Sequence, residues 1–301
     1  MGAKNQLMGH MAALVCVFVW GVAYVVIVTL LQDFSPAEIL FFRFSLATLA
    51  LYFAYPKRGQ KTNWRQELLL ASAGLTGVTL YFLMQDFALM HTVASNVSVV
   101  VAVSPVFTVF LSWRFLGSGR PAWTFFLGAV LALCGIGLIS FAGNQLEVHL
   151  LGDMFAMLAA FCWAVYCIFT KKLSDLGLHP IQSTRRIFSY GLLFLLPVIL
   201  GSEFQLGLER FAQPRNIGNM LLLGLGSSAL CFAFWNYALG QLGAVKTTVY
   251  VYAVPLVTVV ASMLFLDVTI TWLKALGIVF AIGGLILSNR RPKVREEVAA
   301  E

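Results

Sequence analysis

The chain has 301 residues, of which 60% are apolar or aromatic and 11% are ionisable, with a mean hydropathy of +0.86. A soluble domain carries about 25% charged residues, so an ordinary soluble enzyme and a disordered or collagen-like chain are both excluded. The net charge of +7 fits basic loops held at one membrane face and does not by itself point to nucleic acid.

Lys4 precedes an apolar run from Leu7 to Leu31. That run is longer than the roughly 7–15 residues of a signal-peptide core, and no small-residue cleavage site follows it, so it reads as a retained first span. In chain order the predicted spans are Ala12–Leu31, Pro36–Tyr55, Leu68–Met90, Ala94–Trp113 and Ala122–Phe141, then Gly152–Leu173, Ile187–Leu200 with its flanks, Ile217–Gln241, Ala244–Leu266 and Ile270–Ser288. Pro197 is expected to interrupt the seventh. Each run approaches the ~20 residues a helix needs to cross a bilayer, which leaves no room for a folded extramembrane domain. These lengths exceed barrel strands, and an open backbone cannot be satisfied in lipid. The expected fold is an all-α integral membrane protein of ten transmembrane helices.

The basic residues assign the faces. With the N-terminus inside, Lys57, Arg58, Lys61 and Arg65 follow the second span on the inside, and Arg290, Arg291, Lys293 and Arg295 close the chain there. The outside loops hold only Arg210, Arg215 and Lys274 among cations, so both termini are expected in the cytoplasm.

The two halves repeat. Gly9, Met11, Ala13, Phe18 and Trp20 match Gly152, Met154, Ala156, Phe161 and Trp163. Phe82, Ala88, Leu89, Ala94 and Pro105 match Phe232, Ala238, Leu239, Ala244 and Pro255, and Gly128, Ala132 and Gly135 match Gly277, Ala281 and Gly284. The predicted units are 7–142 and 150–289, followed by a cytoplasmic tail, 290–301. Five spans per unit is an odd number, so the second copy lies inverted relative to the first. Inverted repeats are a transporter design, with the substrate site near the midplane at the repeat interface.

Several residues carry a resemblance to a known family. They are Trp20-Gly21, Ser35-Pro36 with Arg43, the passage from Ala88-Leu89 to Ala94, and Pro105, joined in the second copy by Trp163, Tyr237-Ala238-Leu239 and Pro255. As an ordered set spanning nearly the whole chain, they resemble the EamA family of the drug/metabolite transporter superfamily. Among its members, an exporter of aromatic and other amino acids is the nearest likeness. The chain departs from many members at Val28, where a lysine is common. The resemblance implies that spans three, four, eight and nine line a central cavity together with the first span of each repeat. It also implies export across the inner membrane of a bacterium.

Within those spans, Tyr81 and Gln85 share one face of span three at helical spacing. Their counterparts are Cys231 and Trp235, with Asn236 beside them. Asn96 enters span four between Ser95 and Ser98, and Lys246 and Tyr250 enter span nine. Trp20, Tyr24, Trp163 and Tyr166 add aromatic walls. The expected substrate-binding set is therefore Trp20, Tyr24, Tyr81, Gln85, Asn96, Trp163, Tyr166, Trp235, Asn236, Lys246 and Tyr250. Aromatic faces with a few amides and hydroxyls suit an amphipathic solute with an apolar side chain, although Trp and Tyr also anchor helices at membrane interfaces. Lys246 is either a snorkelling lysine or a contact for a substrate carboxylate.

Asp86 is the acid inside a span, and an intramembrane acid is costly enough to suggest a role. Arg43 has a similar depth, which permits an ion pair serving as an outer gate, a proton site coupled to export, or a purely structural tie. Pro105 and Pro255 are expected to kink spans four and nine, as hinges or as static bends. Cys16, Cys134, Cys162, Cys167 and Cys231 fall in apolar runs and read as buried, inert thiols.

No H-E-x-x-H, G-x-S-x-G or G-x-x-x-x-G-K-[ST] occurs in the sequence, so the commonest protease, esterase and ATPase parts are missing. No enzyme activity, metal or cofactor is expected. The expected partners are a small-molecule substrate, the lipid bilayer and protons. Amino acids or related metabolites lead as substrate, with other metabolites, cationic drugs or a channel-type pore as alternatives.

Overall fold

The computed structural model describes residues 3–57, 60–92, 94–141, 150–266 and 272–289. The junction between the predicted units and the tail 290–301 lie outside the described residues. Among the described residues the secondary structure is helical, with no strand.

The first half comprises α1 (Ala3–Leu30), α2 (Pro36–Ala54), α3 (Trp64–His91), α4 (94–115) and α5 (Trp123–Phe141). The second comprises α6 (Leu150–Asp175), α7 (Pro180–Gly201), α8 (Pro214–Leu242), α9 (244–266) and α10 (Trp272–Asn289). Eight of these contain stretches long and apolar enough to cross a membrane. The apolar stretches of α5 and α10, Trp123–Leu138 and Ala275–Ser288, are shorter. Exposed side chains such as Phe18, Phe53, Leu200 and Val279 give the bundle an apolar outer surface, as lipid contact requires. All five cysteines are unpaired; Cys16, Cys167 and Cys231 are buried as expected, whereas Cys134 is exposed on that outer surface.

Local chemistry sets the helix starts. Ser35 and Glu38 form a capping box on α2, and Asn63 and Gln66 form one on α3. In the second half, proline opens α7 and α8, where the missing N–H has no helical partner to lose. Pro197 does not interrupt α7 as predicted. It lies near the C-terminal end, where little helix follows that a lost hydrogen bond could misdirect.

The helices nearest the centre are irregular, and in matching ways. α3 carries a π stretch at Leu75–Leu80, and α8 carries one at Leu222–Leu230. α4 breaks between Ala94–Val101 and Ser104–Phe115. α9 passes through a tight 3-10 segment, Val249–Ala253, before continuing as Val254–Leu266. Pro105 and Pro255 are each the second residue after these irregularities. They therefore start new helical pieces instead of kinking continuous ones, which corrects the mid-helix reading.

Packing between the halves is reciprocal: α3 packs on α6 as α8 does on α1, α2 on α8 as α7 does on α3, and α9 on α1 as α4 does on α6. α5 and α10 pair with each other. A Cβ at Gly128 would fall 2.4 Å from the Ser288 nitrogen, so the small residues there let the two backbones approach closely.

The connecting loops follow the same exchange. At the start of α2, Glu38 accepts from the Gln205 backbone and from Arg210, so the α7–α8 loop is fastened there. At the start of α7, Gln182 accepts from the Gln60 backbone in the α2–α3 loop, and Arg185 donates to the Tyr55 carbonyl at the far end of α2. Equivalent turns thus sit at opposite ends of α2, so the halves run in opposite senses.

Candidate functional site

The irregular stretches converge on a cavity between the halves. α1 contributes Trp20, Tyr24 and Ile27, α3 contributes Tyr81, Phe82 and Gln85, and α6 contributes Trp163. Val101, Val251 and Val254 close it at the two helix breaks, and Arg43 and Ser227 supply polar surface. Trp20 and Trp163, equivalent in the two repeats, meet edge to face with centroids 5.2 Å apart. Tyr81 lies 4.9 Å from Trp163. The Trp20 indole is fixed by donation to the Ser227 carbonyl at 3.0 Å. The cavity volume is about 40 Å³, room for roughly three waters.

Arg43 is fully buried. Its Nε donates to Ser228 Oγ at 3.0 Å, its Nη2 donates to Ser227 Oγ at 3.2 Å, and its guanidinium carbon lies 4.3 Å from the Phe82 ring centre. Its Nη1 finds no hydrogen-bond partner among the described residues. Asp86 is also fully buried, and neither carboxylate oxygen finds a partner there. The anticipated ion pair is therefore not formed. The π stretch of α8 presents the Ser227 and Ser228 hydroxyls to Arg43 instead.

The other expected residues are placed elsewhere. Behind Trp163, Tyr166 donates to Asn236 Oδ1 at 2.5 Å, and Asn236 Nδ2 donates to Thr184 Oγ1 at 2.7 Å. Trp235 is fully buried, 4.9 Å from Trp20, and supports that ring without reaching the cavity. The Tyr250 hydroxyl lies 2.7 Å from His10 Nδ1 between α9 and α1. Lys246 borders a separate recess with Gln6 and Lys171 near the α8–α9 turn. The Asn96 side chain lies outside the described residues. The cavity thus gathers Trp20, Tyr24, Tyr81, Gln85 and Trp163, with Arg43 added. Sequence reasoning passed over Phe82, Ser227 and the three valines. Apolar side chains carry no chemical signal, but Val101 and Val251 are repeat partners and could have been found that way.

With this geometry in place, comparison with known proteins is informative. The chain is 29% identical over 289 residues to an uncharacterized transporter of Archaeoglobus fulgidus, covering 94% of this chain and 97% of that one. It is 28% identical to a probable terminal-alkyne amino-acid exporter of Streptantibioticus cattleyicolor, covering 96% of each chain. It is 26% identical to a probable amino-acid metabolite efflux pump of Salmonella typhimurium, covering 92% of this chain and 93% of that one. A solved crystal structure superimposes with a TM-score of 0.73 over 96% of this chain and 98% of that one; its identity is 17%, so it speaks to the fold alone. The model of the EamA-like transporter family matches twice, at residues 7–141 and 150–290, one copy on each half, and the chain belongs to that family.

Proposed function

We propose that the protein exports amino acids with aromatic or other apolar side chains across the inner membrane of a bacterium, by alternating access, with both termini in the cytoplasm. The observation that carries this reading is the aromatic-walled cavity between the two oppositely oriented halves. Rings cover an apolar side chain, and Arg43, Gln85 and the tyrosine hydroxyls orient a polar head. The names of the amino-acid exporter and efflux pump among the relatives support the same substrate class. All ten helices cross the bilayer in this reading, α5 and α10 as the shortest.

The cavity is too small to hold an amino acid as it stands. Substrate entry therefore requires α1, α3 and α4 to separate from α6, α8 and α9. The pieces that start at Ser104 and Val254 are the proposed hinge points, with Pro105 and Pro255 keeping each break in place. Asp86 is the proposed site for a coupled proton. Counterflow of labelled amino acids into liposomes, with and without a pH gradient, tests the reading. Saturable, trans-stimulated uptake is expected. Absence of saturable uptake for every amino acid would overturn the substrate class, and uptake without trans-stimulation would indicate a pore.

A further inference from the structure

Arg43 and Asp86 are opposite charges that enter the buried centre of the molecule without meeting. Both side chains are fully buried. Arg43 lines the cavity and keeps one terminal N–H group without a protein acceptor. Asp86 follows Gln85, which lines the cavity, and both its oxygens lack a protein donor. Its electrostatic neighbours Tyr24, Tyr81 and Arg43 are all three on the cavity wall.

Buried charged groups in native proteins are paired or hydrogen-bonded. Two unsatisfied ones of opposite sign, Arg43 on the cavity wall and Asp86 next in the chain to the wall residue Gln85, therefore call for a partner that carries both complementary charges. The guanidinium also has a fixed aim. Ser227 and Ser228 hold Nε and Nη2, so Nη1 is the edge left for a ligand. A guanidinium edge suits a carboxylate, and a carboxylate suits an ammonium group. Beside them stand Trp20, Tyr81, Phe82 and Trp163, with no second charged side chain among the described cavity-lining residues.

We infer that Arg43 and Asp86 form a divided receptor for the zwitterionic head of an α-amino acid, the guanidinium taking the carboxylate and Asp86 the ammonium, while the aromatic walls take the side chain. This rests on the amino-acid reading above and adds the rule by which the site selects: both charges are required. A decarboxylated amine leaves Arg43 unpaired, and a deaminated acid leaves Asp86 unpaired. Sites built to pair a buried polar group reject analogues that lack the matching atom.

The test is competition against counterflow of labelled L-phenylalanine in liposomes, using unlabelled phenylalanine, phenethylamine and 3-phenylpropionate. With the unaltered protein, phenylalanine is expected to compete at least ~10-fold better than either analogue. In Arg43→Gln, phenylalanine loses its advantage over phenethylamine and keeps it over 3-phenylpropionate. In Asp86→Asn the pattern reverses. Arg43→Lys, which keeps the charge, serves as the second variant if Arg43→Gln fails to fold, and it is expected to retain part of the preference for carboxylate. Phenylalanine counterflow in which the analogues compete equally overturns the divided receptor and leaves amino-acid export standing, as does a selectivity pattern that neither substitution changes. No saturable counterflow of any amino acid overturns both.

Discussion

Asp86 and Asn236 occupy equivalent places in the two repeats, in the register set by Phe82 and Phe232, and the molecule treats them oppositely. Asn236 is saturated: its oxygen accepts from Tyr166, its nitrogen donates to Thr184, and Thr184 in turn donates to the Pro180 carbonyl. Asp86 has none of this. The residues that could have served it differ between the halves. Tyr166 corresponds to Ala23, and Thr184 to Leu40, neither of which has a side-chain donor. One copy of a duplicated position has become a strut, and the other has kept a buried charge unsatisfied. Duplication therefore supplies symmetry for the helix exchange, while the proposed head-group receptor draws both of its charges, Arg43 and Asp86, from the first repeat.

The sharpest way to break this comparison is at Gly77, where the halves touch. A Cβ there would fall 2.1 Å from the Tyr166 ring. Gly77→Ala is expected to displace Tyr166, break its bond to Asn236 and cost about 2–4 kcal/mol, combining overpacking with a lost hydrogen bond. Gly226→Ala is the control: the nearest atom to its Cβ is 3.7 Å away, and the change should stay within ~0.5 kcal/mol. Thermal unfolding in detergent checks both. Equal losses would show that the Gly77–Tyr166 approach has no special weight.

Next comes the strut. Asn236→Ala strands the Tyr166 hydroxyl and is expected to cost about 1–3 kcal/mol. Asp86→Asn should move stability the other way, by on the order of 1 kcal/mol, because a buried unpaired amide is cheaper than a buried unpaired carboxylate. Yet it should impair transport more than Asn236→Ala does at a temperature where both variants are folded. A fall in the melting temperature of Asp86→Asn as large as that of Asn236→Ala would show that Asp86 is also a strut.

How far this contrast could be read without coordinates depends on what one-dimensional spacing encodes. Long apolar runs mark helices because length and hydropathy are local, and eight of the predicted spans lie within about four residues of observed helix limits. The first and the seventh are the exceptions: α1 begins at Ala3 instead of Ala12 and α7 at Pro180 instead of Ile187, because polar residues at a helix end continue the helix without adding to its apolar run. Trp20 and Trp163 were legible from repetition, and Tyr81 with Gln85 from helical spacing. Rotation about the helix axis was not legible. Arg43 and Asp86 were matched by depth, but depth says nothing of azimuth, and the π stretch at Leu222–Leu230 turns Ser227 and Ser228 toward Arg43. By residue type Tyr166 and Asn236 resemble Tyr81 and Gln85; their neighbour Thr184, on the adjoining helix α7, ties them together away from the cavity.

The loop fastenings give the mildest test, since here too equivalent positions differ in charge. Glu38 holds the α7–α8 loop with an ion pair to Arg210 at 2.9 Å, whereas Gln182 holds the α2–α3 loop with a neutral amide oxygen, 3.1 Å from the Gln60 nitrogen. Glu38→Gln and Gln182→Ala are each expected to cost about 0.5–1 kcal/mol. They should separate with salt. The Arg210 head is partly exposed, so screening reaches it, and the penalty of Glu38→Gln should shrink between low and high ionic strength. The penalty of Gln182→Ala contains no such charge pair and should stay constant. Melting curves of both variants across a salt series decide the matter: parallel responses would mean that the two fastenings are energetically alike and that the asymmetry between the repeats is confined to the cavity.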